Sequence, residues 1–396
     1  MKTWFIKLGK VWAIIRQDGL IRGGRRVWTI FTALFQSIGT GQILLISGGM
    51  ADSARYRTKH VAEELSFHGL PAAATYQDHP KLLLAVEQFQ IFILHRTLLT
   101  PKLAQFIERA KALKKTIIFE TDDLVYDPAF LIHMDYWQKM NVLERKLYEH
   151  GVGGEVLMDP YVEVATTTTN FLAEKLQAKG KQVFVVPNKL SKQDVAWAEQ
   201  ALHNQQSAIS NQQIVRIGYL SGTPSHDRDF ATITGALVKL FETYPEMCLV
   251  LTGPLDTESE LHQYNDRIER IPFVPRKELF GNIASLDINV APLEIGNPFC
   301  EAKSELKFFE AGIVKVPTIA AATETFRDAI TDGVDGFVAD TTEAWVDKIG
   351  LLIKNKDLRA EMGNRARQTA LERYTTVNAK NEKYYQYLRS RISSVM

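Results

Sequence analysis

Cysteine is nearly absent: Cys248 and Cys300 are the only two in 396 residues. Two thiols cannot make a disulfide framework, which points to a reducing compartment and a cytoplasmic setting. An excess of either charge is lacking too. The 47 Lys and Arg against 46 Asp and Glu leave a formal net charge of +1. That argues against a nucleic-acid partner, whose binders carry a marked basic surplus. No stretch approaches the ~18–20 uncharged apolar residues that span a bilayer, and no tandem repeat of ~20–50 residues is evident. What is present, 45% hydrophobic and 23% charged with 24 Gly and 14 Pro, is the composition of an ordinary globular protein. At ~100–200 residues per domain, the length fits two or three domains.

The neutral total hides an asymmetry. Residues 1–36 carry Lys2, Lys7, Lys10, Arg16, Arg22, Arg25 and Arg26 against Asp18 alone, a local charge of +6 that leaves −5 for residues 37–396. Trp4, Leu8, Val11, Trp12 and Ile15 recur at helical spacing beside this basic face, and Gly23-Gly24 breaks the pattern in two. Lys7 and Lys10 interrupt any signal-peptide core. Aromatics with cations suit a helix lying on an anionic membrane surface, which would make the protein peripheral on the inner face. A helix docked on the protein's own surface, its charges solvated, has the same periodicity.

From residue 43 the chain alternates short apolar runs with amphipathic helical patterns. Strands read at 43–47, 91–95, 116–121, 162–166 and 184–186, with a helix at 54–68. The polar stretch 189–213, containing QQSAISNQQ, reads as a linker. A second series follows: strands at 215–220, 248–252, 268–274, 288–291, 318–321 and 336–339, with helices near 229–243, 276–285, 303–314, 343–354 and 356–372. Such alternation specifies βαβ units. The expected fold is α/β, two doubly wound Rossmann-like domains at 37–188 and 214–375 facing a central cleft. The closing helical segment, 376–396, would pack back on the first domain.

In open parallel sheets ligands bind beyond the carboxyl ends of the strands. Two segments stand there. In Asn297 to Gly312 a helix starting near Lys303, capped by Ser304 or the loop before it, would put Lys303, Lys307 and Glu310 on one face. Its N-terminus and Lys303 suit a phosphate, and Glu310 suits neutral hydroxyls such as a ribose diol. A solvated Lys/Glu face fits the same spacing. In Ile217 to Phe230 a strand runs into Ser221-Gly222-Thr223, where backbone amides can approach a diphosphate, with His226 and Arg228 at the mouth. Neither the dinucleotide G-x-G-x-x-G nor the Walker A pattern is present. An N-cap cluster around Asp227 and Asp229 is the structural alternative.

These residues carry a resemblance. Gly218-Tyr-Leu-Ser-Gly222, Asn289-Val-Ala-Pro-Leu293, Lys303-Ser-Glu-Leu-Lys-Phe-Phe-Glu-Ala-Gly312, Val316-Pro-Thr-Ile-Ala320 and Asp332-Gly-Val-Asp-Gly-Phe-Val338 resemble the nucleotide-sugar domain of retaining GT-B glycosyltransferases of the group 1 type. In the first half, Ser53-Ala-Arg-Tyr-Arg57, Ile93-Leu-His-Arg96, Glu120-Thr-Asp-Asp-Leu-Val-Tyr-Asp-Pro128 and Val185-Val-Pro-Asn188 are similar to a bacterial branch of polysaccharide and O-antigen assembly.

The resemblance implies hexosyl or deoxyhexosyl transfer from a nucleotide diphosphate sugar to a glycan or lipid-linked acceptor, with retention and with neither metal nor other cofactor. It implies that Glu310 binds the donor ribose. The family's first glutamate falls on Ala302, with Glu301 one place off, and the Arg expected after the first strand is Tyr219. By charge and position, Gly222, His226, Arg228, Lys303, Ser304 and Lys307 then serve the donor. Asp122 and Asp123 meet acceptor hydroxyls or act as acid/base, or else cap the loop with Asp127. Arg55 and Arg57 hold an anionic acceptor such as a lipid diphosphate, or pair with Glu63 or Glu64 on the surface. His95, at a strand end, is a further acid/base candidate. Two rivals are a nucleotide-sugar epimerase and a catalytically silent sugar-nucleotide-binding subunit.

Overall fold

The computed structural model describes residues 24, 28, 32, 35–50, 52–134, 137, 140–207, 214–222 and 227–393. Most of the basic segment 1–36, and His226, lie outside the described residues.

Two six-stranded parallel sheets make up the frame. In the first, β1 (Ile43–Ser47), β2 (Ala72–Tyr76), β3 (Ile91–His95), β4 (Thr116–Glu120), β5 (Val164–Thr167) and β6 (Gln182–Val185) are ordered β2-β1-β3-β4-β5-β6. In the second, β7 (Val215–Leu220), β8 (Met247–Thr252), β9 (Ile268–Ile271), β10 (Ile288–Ala291), β11 (Thr318–Ala321) and β12 (Phe337–Ala339) are ordered β12-β11-β10-β7-β8-β9. Helices cover both faces, so β1 and β3 are buried along their whole length and are apolar up to their closing Ser47 and His95. Each order reverses once, between β1 and β3 and between β7 and β10. Loops leaving those strands diverge and open a crevice at their carboxyl ends.

Three features differ from the sequence pattern. The edge strand β2, Ala-Ala-Ala-Thr-Tyr, escapes it because alanine carries little β-propensity. The polar 189–213 stretch holds a 16-residue helix, Lys192–Ser207. The helix expected from residue 303 begins only at Leu306 and runs to Gly312; a separate short helix, Pro298–Glu301, precedes it, with Lys303 and Ser304 in the loop between. The Asn297 side chain starts the earlier helix by accepting from Phe299 N at 3.0 Å.

The halves are stitched by two adjacent crossings, where Leu190 N donates to Tyr374 O at 2.7 Å and Thr376 N donates to Leu190 O at 3.0 Å. The final helix, Glu382–Ser393, buries Tyr384, Tyr385, Leu388 and Ile392 among Ile43, Leu45, Ile91 and Ile93 of the first sheet. Among the described residues, no helix is long and apolar enough to cross a membrane.

Candidate functional site

The first crevice is built on Ser47, His95 and Asp122, which end or follow β1, β3 and β4. Gly48 is required here, because a Cβ would sit 2.0 Å from the carbonyl oxygen of Arg96. Ser47 Oγ lies 3.3 Å from His95 Nδ1, and His95 Nε2 lies 3.2 Å from Asp122 Oδ1. The carboxylate can only accept, so the geometry puts a proton on Nε2. Arg96, held at φ 47°, donates to the same Asp122 oxygen at 3.3 Å. Burial opposes ionisation of Asp122. Arg96 and the His95 hydrogen bond outweigh it and hold the carboxyl well below the usual carboxylate range.

His95, the acid/base candidate at the end of β3, is buried between Ser47 and Asp122. Both ring nitrogens are engaged and the side chain is 2% exposed, whereas that of Asp122 is 14% exposed. Asp123 follows the capping alternative: its Oδ1 accepts from Val125 N at 2.7 Å. Arg57 is also corrected. It is buried, donating from Nε to Glu120 at 2.8 Å and from Nη1 to Val186 O at 2.7 Å, and cannot reach an acceptor. The first helix is π-helical over Arg55–His60, and the wider turns carry Tyr56, Arg57 and His60 inward together. Arg55 stays partly exposed and pairs with Asp52 at 3.4 Å.

The second crevice lies where β7 ends. Lys307, in the short helix Leu306–Gly312, reaches back to Leu220 O, its ammonium 4.7 Å from the Tyr219 ring centroid. Burial pushes this ammonium down to about 8, with Glu310 and Asp229 acting the other way. Gly222 is exposed at the end of the same strand, with open space where a Cβ would stand. Arg228 pairs with Glu294 at 2.7 Å, and the Lys303 side chain makes no ion pair or hydrogen bond among the described residues. Lys303 lies in the loop before the helix, three residues ahead of Leu306, and not at the helix N-terminus where the sequence pattern put it.

Between the crevices the halves touch through segments that follow strand ends. Ser304 accepts from Asn188 Nδ2 at 2.9 Å, so it bridges the halves and caps no helix. Asn297 Nδ2 donates to His133 O at 3.2 Å. Ala302, 1% exposed, and Phe299 join the apolar cluster of the first half around Phe119, Leu124 and Leu131. Glu301 turns away, accepting from Gly296 N at 2.9 Å. Glu310 meets Tyr56, whose hydroxyl donates to Oε1 at 2.6 Å, and Arg276, whose Nη1 donates to the same oxygen.

Sequence reasoning passed over Ser47, Tyr56, Arg96, Asn188 and Arg276. Tyr56, Arg96 and Asn188 stand inside quoted motifs, where attention fell on their neighbours. Nothing in the sequence ties Arg276 to Glu310, since only packing of the helix Arg276–Ala284 brings them together.

Two parallel Rossmann-like sheets, each with its switch point at a shared interface, define the GT-B class of fold. Residues 227–369 match the family described as glycosyl transferases group 1. No curated protein matches the chain. Solved structures do. Anabaena HepE in complex with UDP and glucose is similar over 88% of this chain and 100% of that one, at 12% identity and a TM-score of 0.57. The sucrose-phosphate synthase of Thermosynechococcus elongatus is similar over 89% and 100%, at 12% identity and a TM-score of 0.56. A glycosyltransferase from Rickettsia africae is similar over 90% and 99%, at 13% identity and a TM-score of 0.55. At these identities the likeness is one of fold.

Proposed function

We propose that the protein is a glycosyltransferase that moves a sugar from a nucleotide diphosphate sugar to a glycan or lipid-linked acceptor. One observation carries the reading. Lys307, which reaches Leu220 O at the end of β7, and Glu310 lie one helical turn apart inside the stretch that matches glycosyl transferases group 1. A departing nucleoside diphosphate gathers negative charge, and stabilising it is the main catalytic task. Lys307, Lys303 and Arg228 supply cations for it, and Glu310 takes ribose hydroxyls. Asp122, fixed by His95 and Arg96, meets the acceptor side. Similarity in fold to HepE with UDP and glucose supports a donor of this class. Retention, hexosyl or deoxyhexosyl transfer, and a place in cell-surface polysaccharide assembly rest on the sequence resemblance.

A second reading has its own observation. The position of the family's first glutamate is the buried Ala302, which favours a subunit that binds a sugar nucleotide without turning it over. A panel of nucleotide diphosphate sugars read by thermal shift tests what both readings share. Ligand at ~100 times its Kd stabilises the fold by ~2.7 kcal/mol. No shift with any donor at millimolar concentration contradicts both; a shift without nucleotide release selects the second.

A further inference from the structure

The Glu310 carboxylate is used unevenly. Oε1 accepts from the Tyr56 hydroxyl at 2.6 Å and from Arg276 Nη1, and Arg276 Nη2 closes the ring by donating to the Tyr56 hydroxyl. A carboxylate oxygen has two acceptor sites, so Oε1 is full. Oε2 makes no hydrogen bond among the described residues. The ring is held from outside. Arg276 Nε donates to Asp194 Oδ1 at 3.0 Å, and its guanidinium lies 5.0 Å from the ring centroids of both Tyr56 and Phe280. Burial raises the Tyr56 pKa well above its usual value, which keeps the phenol a donor.

The members come from three places. Tyr56 is on the first helix, Asp194 on the crossing helix Lys192–Ser207, and Arg276 with Glu310 on the second half. We propose that Tyr56 and Arg276 are positioning residues for the donor site: they saturate Oε1 and leave Oε2 as the one acceptor that reads a ribose hydroxyl. Because Tyr56 belongs to the first half, the ribose subsite is complete only while the halves are together. This rests on the reading that Glu310 faces the donor ribose.

Titration of the full chain with UDP, GDP and ADP, and with the 2′-deoxy form of whichever binds tightest, tests it. The wild type is expected to prefer the ribonucleotide. In Tyr56→Phe that preference shrinks roughly tenfold, the cost of one hydrogen bond to a charged group, while the deoxynucleotide binds as before. A merely structural role would weaken both ligands equally. If Tyr56→Phe does not fold, Arg276→Lys carries the same comparison, since an ammonium cannot fork between Glu310 and Tyr56. An unchanged preference in whichever variant folds overturns the proposal. Glu310→Gln separates the two levels: lost preference there alone sinks the positioning role and spares the ribose reading, whereas preference retained in Glu310→Gln sinks the ribose reading itself.

Discussion

The ammonium of Lys307 stands 4.7 Å from the centroid of Tyr219. Tyr219, near the end of β7, occupies the place where the resemblance led one to expect an Arg. The ring cannot hold a phosphate, but its face steadies a cation. The charge missing from the strand thus arrives from the helix Leu306–Gly312.

That substitution gives donor binding a pH signature. Free Lys307 titrates at about 8 because burial disfavours its charged form. A bound diphosphate favours the charged form and raises that value. Donor affinity should therefore be level below pH 8 and fall by up to roughly tenfold per pH unit above it. Lys307→Arg, charged throughout, should remove the slope. Affinity independent of pH between 7 and 9.5 in the wild type would exclude Lys307 from the phosphate site.

Asp122 carries the acceptor-side prediction. Its 14% exposed side chain is the member of the His95–Asp122 pair that can meet a ligand. Asp122→Asn should lower turnover by ~10²-fold or more while leaving donor affinity within twofold. Its pKa is depressed in the fold below the ordinary 3.8. The pair's contribution to stability is thus complete above that value and is lost as pH falls below it. Turnover within threefold of wild type would mark Asp122 as purely structural.

Arg57 and Glu120 form a buried ion pair, their side chains 0% and 3% exposed. Removing one partner strands the other charge, so Glu120→Ala should cost ~3–5 kcal/mol in urea unfolding. Loss below ~1 kcal/mol would mean that water reaches Arg57 and reopens the acceptor role that its burial argues against.

For the +6 segment 1–36 we propose contact with an anionic membrane surface. Full-length protein should sediment with vesicles containing anionic lipid, more weakly as salt rises, and protein lacking residues 1–36 should not. Equal sedimentation of the two would contradict it.

The fold was legible because its signal is local. Five-residue runs such as Ile43–Ser47 and Ile91–His95 are apolar up to their last residue, as strands covered on both faces are expected to be. Ala72–Tyr76 was illegible because an edge strand of alanines has no such run. The site was legible in part. Lys307 and Glu310 share one helix, so spacing alone pairs them. Tyr56 and Arg276 converge on Glu310 from distant segments, and periodicity carries no information about which helices face each other. Arg57 misled because charge suggests exposure, whereas a π-helical turn and a waiting Glu120 bury it.

The central claim is sugar transfer that depends on the Lys307–Glu310 pair. Its most direct measurement is nucleotide release from a panel of nucleotide diphosphate sugars by wild type, Lys307→Met and Glu310→Gln. The wild type should release nucleotide slowly from one donor without acceptor, and each variant should lose at least ~90% of that rate, the cost of a single charged contact. Release that is undiminished in both variants, or absent with every donor despite tight binding, would contradict it.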